Sequence, residues 1–521
     1  MSLTDYSSIN IKNLKCNHIV NPVGVETTNP ILGWELISAE NGQYQTAYRI
    51  IAASSPAFLN ENCMKADLWD TEKVISQASA NIGYSGKALA SRQICFWKVK
   101  VWDSEGKESG WSNTASFEMS LLSEKDWKAQ WICATLESTD TSEAIPAPLL
   151  RKSFRINREI SSARAYICGL GYYELYVNGV KAGDDVLSPA ASQYDKTVLY
   201  NTYDITSALH TGENVFGVIL GNGWYNCFTA DAWDFRFAQW RHHPKLIFQA
   251  HITYTDGSEE VIASDTSWKT TRGPITFDGL RNGEFYDARL EKQGWNNAGY
   301  DCTGWNSARV ARAPGGLLRS SQFPQIKVQD TVIPVGLKEA RPGVWVFDLG
   351  RNISGWAQIM VSGPAGTEIV LKYSEKIHDD GSIDTSNIDL YIESGEFQTD
   401  KYILKGEEIE TWEPRFTYHG FQYIEVTGFP GTPGINNLCG RIVHTDLQPV
   451  GTFSCSNKLL NSIHQCALNS TLYNYHGFPT DCPQREKNGW TGDAALSSEQ
   501  VMLNFDAANA YAKWMKDLMA R

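Results

Sequence analysis

Along most of the chain, apolar residues fall at alternate positions in short runs broken by Gly, Ser, Asn and Pro. That pattern predicts antiparallel strands and turns. Residues 96–103 (FWKVKVWD) alternate strictly, with Trp97, Val99 and Val101 on one side, and residues 45–53 (QTAYRIIAA) are rich in β-formers. Further short β-runs lie at 165–167, 173–177 and 215–220, punctuated by Gly169, Gly171, Gly179, Gly221 and Gly223. Others lie at 344–349, 357–361, 368–373 and 422–426. At about residue 455 the period changes. Leu459, Ile463, Cys466, Ala467 and Tyr473 recur at three- and four-residue steps. This predicts a helix with Ser456 as its N-cap. A second helical stretch is expected over 494–503 and a third over 505–518, with Phe505, Ala508, Tyr511, Ala512, Met515 and Leu518 on its apolar face.

These elements predict a multidomain, mainly β protein. A β-sandwich is expected over residues 1–122, a jelly-roll sandwich over 123–315, a third sandwich over 316–445, and the start of a helical domain over 446–521. Residues 123–150 are polar and Pro-containing, as a linker or long loop would be. The run from Trp97 to Ser112 (W-x-V-x-V-x-D-x-x-G-x-x-S-x-W-S) resembles a fibronectin type III domain. Gly169-x-Gly171 lacks both a following helix and a third spaced glycine, so it is not a dinucleotide fingerprint.

A chain of 521 residues is too long for one core and predicts about three or four domains. The 18 Trp and 23 Tyr suit large sandwich cores first and sugar-stacking surfaces second. A formal charge of −13 argues against a phosphate backbone as partner. No apolar run is long enough to span a membrane. The first residues, MSLTDYSSINIKNLKCN, carry no basic n-region or apolar h-region. The 11 cysteines show no C-x-x-C pair, which predicts free thiols rather than a disulfide framework or a zinc site. A cytoplasmic location is the resulting expectation, with no metal.

The chemistry concentrates in residues 480–494, TDCPQREKNGWTGDA, between two helical segments. Asp481, Glu486 and Asp493 lie within 13 residues, together with Arg485 and Trp490. Pro483, Gly489 and Gly492 favour an irregular backbone that folds these side chains towards one point. Glycoside cleavage needs a protonated carboxyl to donate to the leaving oxygen. A neighbouring carboxylate helps keep it protonated, because two like charges resist ionising together. Further carboxylates and an Arg hydrogen-bond ring hydroxyls, and a Trp covers the apolar face of a sugar. The plainer alternative makes Asp481 and Asp493 turn or cap residues and Glu486 a solvated charge.

DCPQRE followed by GWTGDA resembles the catalytic loop of the glycoside hydrolase family that contains bacterial α-L-rhamnosidases (family 78). The preceding text is similar in order: LYVNG, LGNGWY, GEFYDARLE, DLGRNISGW, FTYHGFQYIEVTGFPG and VHTDL. The resemblance implies an inverting hydrolase that releases terminal α-L-rhamnose from glycosides or oligosaccharides. It implies β-domains leading into an (α/α)6 barrel. By motif Glu486 is the general acid, and Asp481, Arg485, Trp490 and Asp493 bind the sugar. The commoner form of the motif has one more residue between the Arg and the acid. Spacing from Glu486 forward to Trp490 and Asp493 fits, and Asp481 is the second choice for the acid. The resemblance places the general base beyond Arg521, so the expectation is a barrel that these residues begin without completing and a chain inactive alone. A non-catalytic carbohydrate-binding or scaffold fragment is the alternative. A homodimer is also entertained.

Weaker candidates lie in the jelly roll. Trp224, Tyr225, Trp233 and Trp240 cluster near Asp231 and Asp234, and some family members bind rhamnose with calcium in such a module. Core aromatics and turn aspartates are the plainer reading. His242 and His243 point oppositely in an extended segment, which disfavours joint metal ligation. Tyr418-His419-Gly420-Phe421 matches a family motif, with packing an equal alternative.

Overall fold

A computed structural model describes residues 6–60, 65–134 and 144–520. It divides into two compact units, Met1–Lys128 with Arg319–Gln322, and Ala129–Leu318 with Phe323–Arg521. The first unit is a β-sandwich. One sheet is formed by Asn10–Cys16, Ile31–Ile37 and Ile82–Gly83. The other runs Val23–Val25, Ala115–Met119, Ile94–Trp102, Ala47–Ala53, Trp69–Asp70, with Val74–Ile75 at its side. The strand Ile94–Trp102 shows why the period-two pattern folds this way: Cys95, Trp97, Val99 and Val101 are fully buried while the residues between them are only partly covered. Trp97 sits opposite Ala52 and Val99 opposite Ile50, so both strands turn their apolar faces to one core.

The second unit begins with two further sheets, of seven and six strands, enclosing a core that includes Ile167, Phe216, Phe248 and Trp268. The long pair Ile160–Leu170 and Lys245–Tyr254 centres one sheet. Of the polar stretch 123–150, residues 135–143 lie outside the described residues, and Ile132–Cys133 is a strand paired with Leu246 and with Arg309–Val310. A ten-stranded sheet follows. It takes most of its strands from residues 326–445, but also takes the hairpin of Ile275–Gly279 and Gly283–Asp287 from the stretch expected to belong to the jelly roll. The β-runs at 344–349 and 357–361 are two ends of one strand, Val344–Val361, bent by a register shift between Asp348 and Ile353.

The described α-helices all come last: α1 (Lys458–Tyr473), α2 (Thr491–Asn504) and α3 (Ala508–Met519). The N-cap of α1 is Asn457 rather than Ser456; its side chain accepts from the amides of Leu459 and Leu460. The predicted faces need correction. On α1, Leu459, Ile463, Cys466 and Ala467 are exposed, and Leu468 and Leu472 face the small core around Tyr475, Val501 and Phe505. On α3, Ala510, Lys513 and Trp514 are buried, whereas Ala512 and Met515 are exposed. Periodicity finds a helix, but the apolar stripe need not meet a neighbour. The ten described cysteines are free thiols. Among the described residues no helix is long and apolar enough to cross a membrane.

Candidate active site

The loop between α1 and α2 is anchored at its start. Gly477 has φ +81°, and a Cβ there would lie 2.4 Å from the Ala190 Cβ, so glycine serves both conformation and space. The His476 ring stacks on Tyr418 at 3.9 Å between centroids, with Nε2 2.9 Å from both the Val443 carbonyl and the Ser354 hydroxyl. Burial lowers its pKa to about 3, so the ring is neutral.

From there the loop folds back on itself. The Asp481 amide donates to the Asn488 carbonyl at 3.2 Å, and the Asn488 amide donates to Asp481 Oδ1 at 3.2 Å. The Cys482 thiol donates to Asp481 Oδ2 at 2.7 Å, and its sulfur accepts the Glu486 amide at 3.3 Å. This closure brings Asp481 towards Glu486. Burial raises the pKa of Asp481, and the Glu486 charge adds to the rise. The Glu486 side chain is about one-fifth exposed; Oε2 accepts from the Trp490 indole N–H at 2.9 Å, and Oε1 lies 3.6 Å from the Arg485 guanidinium. Arg485 also lies over the Tyr391 ring at 5.7 Å, and its buried Nε has no hydrogen-bond partner. Trp490 is half exposed and caps α2, whose first turn carries Asp493. A carboxylate at that end suits the helix dipole.

The loop rests on the ten-stranded sheet. Lys487 is fully buried with φ +57° and donates to the carbonyls of Leu280 and Tyr418 at 2.6 and 2.5 Å. Burial pushes its pKa well down, with Arg281 adding to the fall. A Cβ on Gly420 would press on Pro483 and Gln484, and one on Gly489 would lie 2.5 Å from the Trp514 ring. The Tyr418–Phe421 motif is therefore the floor beneath the loop: Tyr418, His419 and Phe421 are buried, and His419 pairs with buried Asp400 at 3.0 Å.

Direct contacts join Glu486 to Arg485 and Trp490, and the Glu486 charge reaches Asp481; Asp493 is exposed and takes no part in those contacts. Arg281, Lys487 and Asn488 were missed by sequence reasoning. Arg281 lies 205 residues from Glu486, and only the loop's own span drew attention to chemistry. The jelly-roll aromatics divide. Tyr225 is buried against Tyr194 at 5.3 Å, whereas Trp224, Trp233 and Trp240 line a cavity of about 440 Å³ with Phe478, Trp490 and Trp514. Asp231 does not fit calcium. Its Oδ2 pairs with Arg281 at 2.9 Å and its Oδ1 accepts the Trp233 amide, while Asp234 faces Arg236 at 3.3 Å. Among the described residues no group of three or more His, Cys, Asp or Glu could hold a metal. The His242 and His243 rings stand 5.7 Å apart at 85°.

The architecture is a set of β-sandwich modules leading into helices, with a carboxylate-, Arg- and Trp-bearing loop at the junction. Four family descriptions match consecutive stretches: a Rha78A-like N-terminal immunoglobulin domain over 11–123, an α-L-rhamnosidase N-terminal domain over 158–330, a bacterial α-L-rhamnosidase concanavalin-like domain over 338–444, and a bacterial α-L-rhamnosidase 6 hairpin glycosidase domain over 448–521. The first unit is thus described as immunoglobulin rather than fibronectin type III; both are antiparallel sandwiches. An α-L-rhamnosidase of Formosa agariphila is 36% identical over 98% of this chain and 56% of its own length. A solved α-L-rhamnosidase from Dictyoglomus thermophilum superposes with a TM-score of 0.92 at 41% identity, over 100% of this chain and 58% of that one. One from Streptomyces avermitilis, complexed with L-rhamnose, gives 0.92 at 27% identity, over 98% and 65%. The chain belongs to the bacterial α-L-rhamnosidase family. It spans a little over half the length of the curated relatives it matches.

Proposed function

We propose that the protein is a glycoside hydrolase that releases terminal α-L-rhamnose from rhamnosides by an inverting single displacement. The observation that carries this is the folded loop, which sets Glu486 between the Trp490 indole and the Arg485 guanidinium, with a second carboxyl, Asp481, close enough to feel its charge. In this reading Glu486 protonates the glycosidic oxygen as the C1–O bond breaks. Asp481, Arg485, Trp490 and Asp493 hold the sugar. Water attacks C1 from the opposite face and passes its proton to a base ~6.5–9.5 Å from the acid. The resemblance assigns that base to a residue outside these 521, and we keep it there. The natural setting is assigned to the cytoplasm.

The test is hydrolysis of an aryl α-L-rhamnoside by the full-length protein, with the first-formed sugar followed by NMR. The expected product is the β-anomer of L-rhamnose. An α-anomer as first product would replace inversion by a double displacement, and no hydrolysis of any rhamnoside would leave the binding or scaffold role.

A further inference from the structure

Arg281 sits in the turn of the hairpin Ile275–Gly279 and Gly283–Asp287, and its side chain is 2% exposed. A buried guanidinium is costly unless every donor and the charge are matched. Here the partners come from the acid loop and from Asp231. Nε and one terminal nitrogen donate to the main-chain carbonyl of Glu486 at 3.1 and 2.6 Å, and the same terminal nitrogen donates to Asn488 Oδ1 at 2.9 Å. The other terminal nitrogen pairs with Asp231 Oδ2 at 2.9 Å, itself 2% exposed. The rings of Trp233, Trp224 and Phe235 surround the guanidinium at 4.7, 5.2 and 5.5 Å. The neighbouring carbonyl, Leu280, receives Lys487. One hairpin turn therefore grips three consecutive residues of the loop, 486 to 488, through main-chain and side-chain bonds.

We infer that Arg281 is a positioning residue for the general acid: it fixes the main chain of Glu486 from a hairpin turn of the ten-stranded sheet, and Asp231 fixes Arg281. The inference rests on the reading of Glu486 as acid. The Glu486 side chain is held by Trp490 and its amide by the Cys482 sulfur, but those bonds leave its carbonyl free to shift. The guanidinium fork removes that freedom. A fork can engage one carbonyl with two N–H groups while pairing elsewhere; an ammonium cannot.

The experiment compares Arg281→Lys and Arg281→Met/Asp231→Asn with the unaltered full-length protein, alongside Glu486→Gln. Lysine keeps the charge opposite Asp231, and the double variant removes the charge and its partner together, so folding is protected in two different ways. Each is assayed on a dinitrophenyl α-L-rhamnoside and on a rhamnose-containing disaccharide. The expected result is a kcat loss of roughly tenfold or more on the disaccharide, since small misplacement of a catalytic group has effects of that order. The dinitrophenyl substrate should lose less than about threefold, with KM little changed on both, as only the poor leaving group needs the proton. The double variant should show the same split more strongly. Equal losses on both substrates, or none, would overturn the positioning role. If Arg281→Lys fails to show the split while Glu486→Gln shows it, only this inference falls. If Glu486→Gln also lacks it, the acid assignment itself is wrong and the positioning role falls with it.

Discussion

The indole N–H of Trp490 donates to Glu486 Oε2 at 2.9 Å, across the three residues that separate Glu486 from the cap of α2. This bond ties the side-chain rotamer of Glu486 to the first turn of a helix. Trp490→Phe keeps the aromatic face and deletes the donor. A hydrogen bond to a neutral group contributes about 0.5–1.5 kcal/mol. The expected outcome is a kcat decrease of about tenfold with KM changed less, read from steady-state rates on an aryl rhamnoside. A pure rise in KM would assign Trp490 to sugar stacking alone.

Gly489 lies against α3, where an added methyl would meet the Trp514 ring at 2.5 Å. Overpacking of that kind typically costs about 1–3 kcal/mol. Gly489→Ala is expected to lower the thermal midpoint and to displace Trp490, next in the chain. Pairing it with Trp514→Leu should recover part of the stability. An unchanged melting curve for Gly489→Ala would show that Trp514 moves aside freely.

Glu284 is buried in the ten-stranded sheet. One oxygen accepts the amides of Arg415 and Phe416 at 3.0 Å, and the other has no partner. Burial raises its pKa to about 8, the Asp278 charge adds to the rise, and the Arg415 charge opposes it. Burial likewise raises Asp278 to about 7. A carboxyl raised above its unfolded value favours folding fully below the unfolded value, near 4.5, and this contribution is lost as pH climbs through the folded one. Glu284→Gln keeps the acceptor for both amides and removes the titration. The stability of Glu284→Gln relative to the unaltered protein should therefore rise between about pH 5 and 9, by an order of a few kcal/mol at most. Denaturant melts at the two pH values check it; a constant difference would mean that Glu284 is ionised throughout.

The sheets could be read from the chain because burial and period agree there. In residues 94–102 every second side chain is buried in the sandwich core, so alternation alone places Trp97 inside. The helices show the limit. Periodicity located α1 and α3, yet Ile463 and Met515, placed on apolar faces, are 55% and 53% exposed, because which stripe is covered depends on neighbours that a local pattern does not name. The same reason hid half of the loop's surroundings. Asp481, Arg485, Glu486 and Trp490 announce themselves as a polar, Gly- and Pro-broken run. Arg281 and Asp231 each look like ordinary loop charges until the topology places them together.

Exposed apolar side chains on the helices carry a further expectation. Leu459, Leu460 and Ile463 of α1 and Leu496 and Leu503 of α2 are between 49% and 90% exposed. Apolar surface of this kind favours association. The 521-residue chain should elute above its monomer mass in a concentration-dependent way, and Ile463→Glu/Leu503→Glu should shift it towards monomer without lowering the melting midpoint by more than about 1 kcal/mol equivalent. Concentration-independent elution at monomer mass would sink this.

The assignment of the acid is tested by leaving group. Asp481 has both carboxyl oxygens engaged, one by the Asn488 amide and one by the Cys482 thiol. Glu486 keeps Oε1 with only a 3.6 Å ion-pair approach from Arg485, so it is better placed to reach a glycosidic oxygen. Glu486→Gln preserves size and the bond from Trp490 while removing the proton. General acid catalysis typically contributes ~10²–10⁴-fold. In the full-length protein the loss should fall on kcat, be largest for a disaccharide or alkyl rhamnoside, and be smallest for a dinitrophenyl rhamnoside. Asp481→Asn and Asp493→Asn should reduce good and poor leaving groups by similar factors, because residues that only hold the sugar act on both alike. If Asp481→Asn discriminates between leaving groups and Glu486→Gln does not, the proton comes from Asp481, and the short Arg485–Glu486 spacing has placed a sugar-binding carboxylate where the acid was expected.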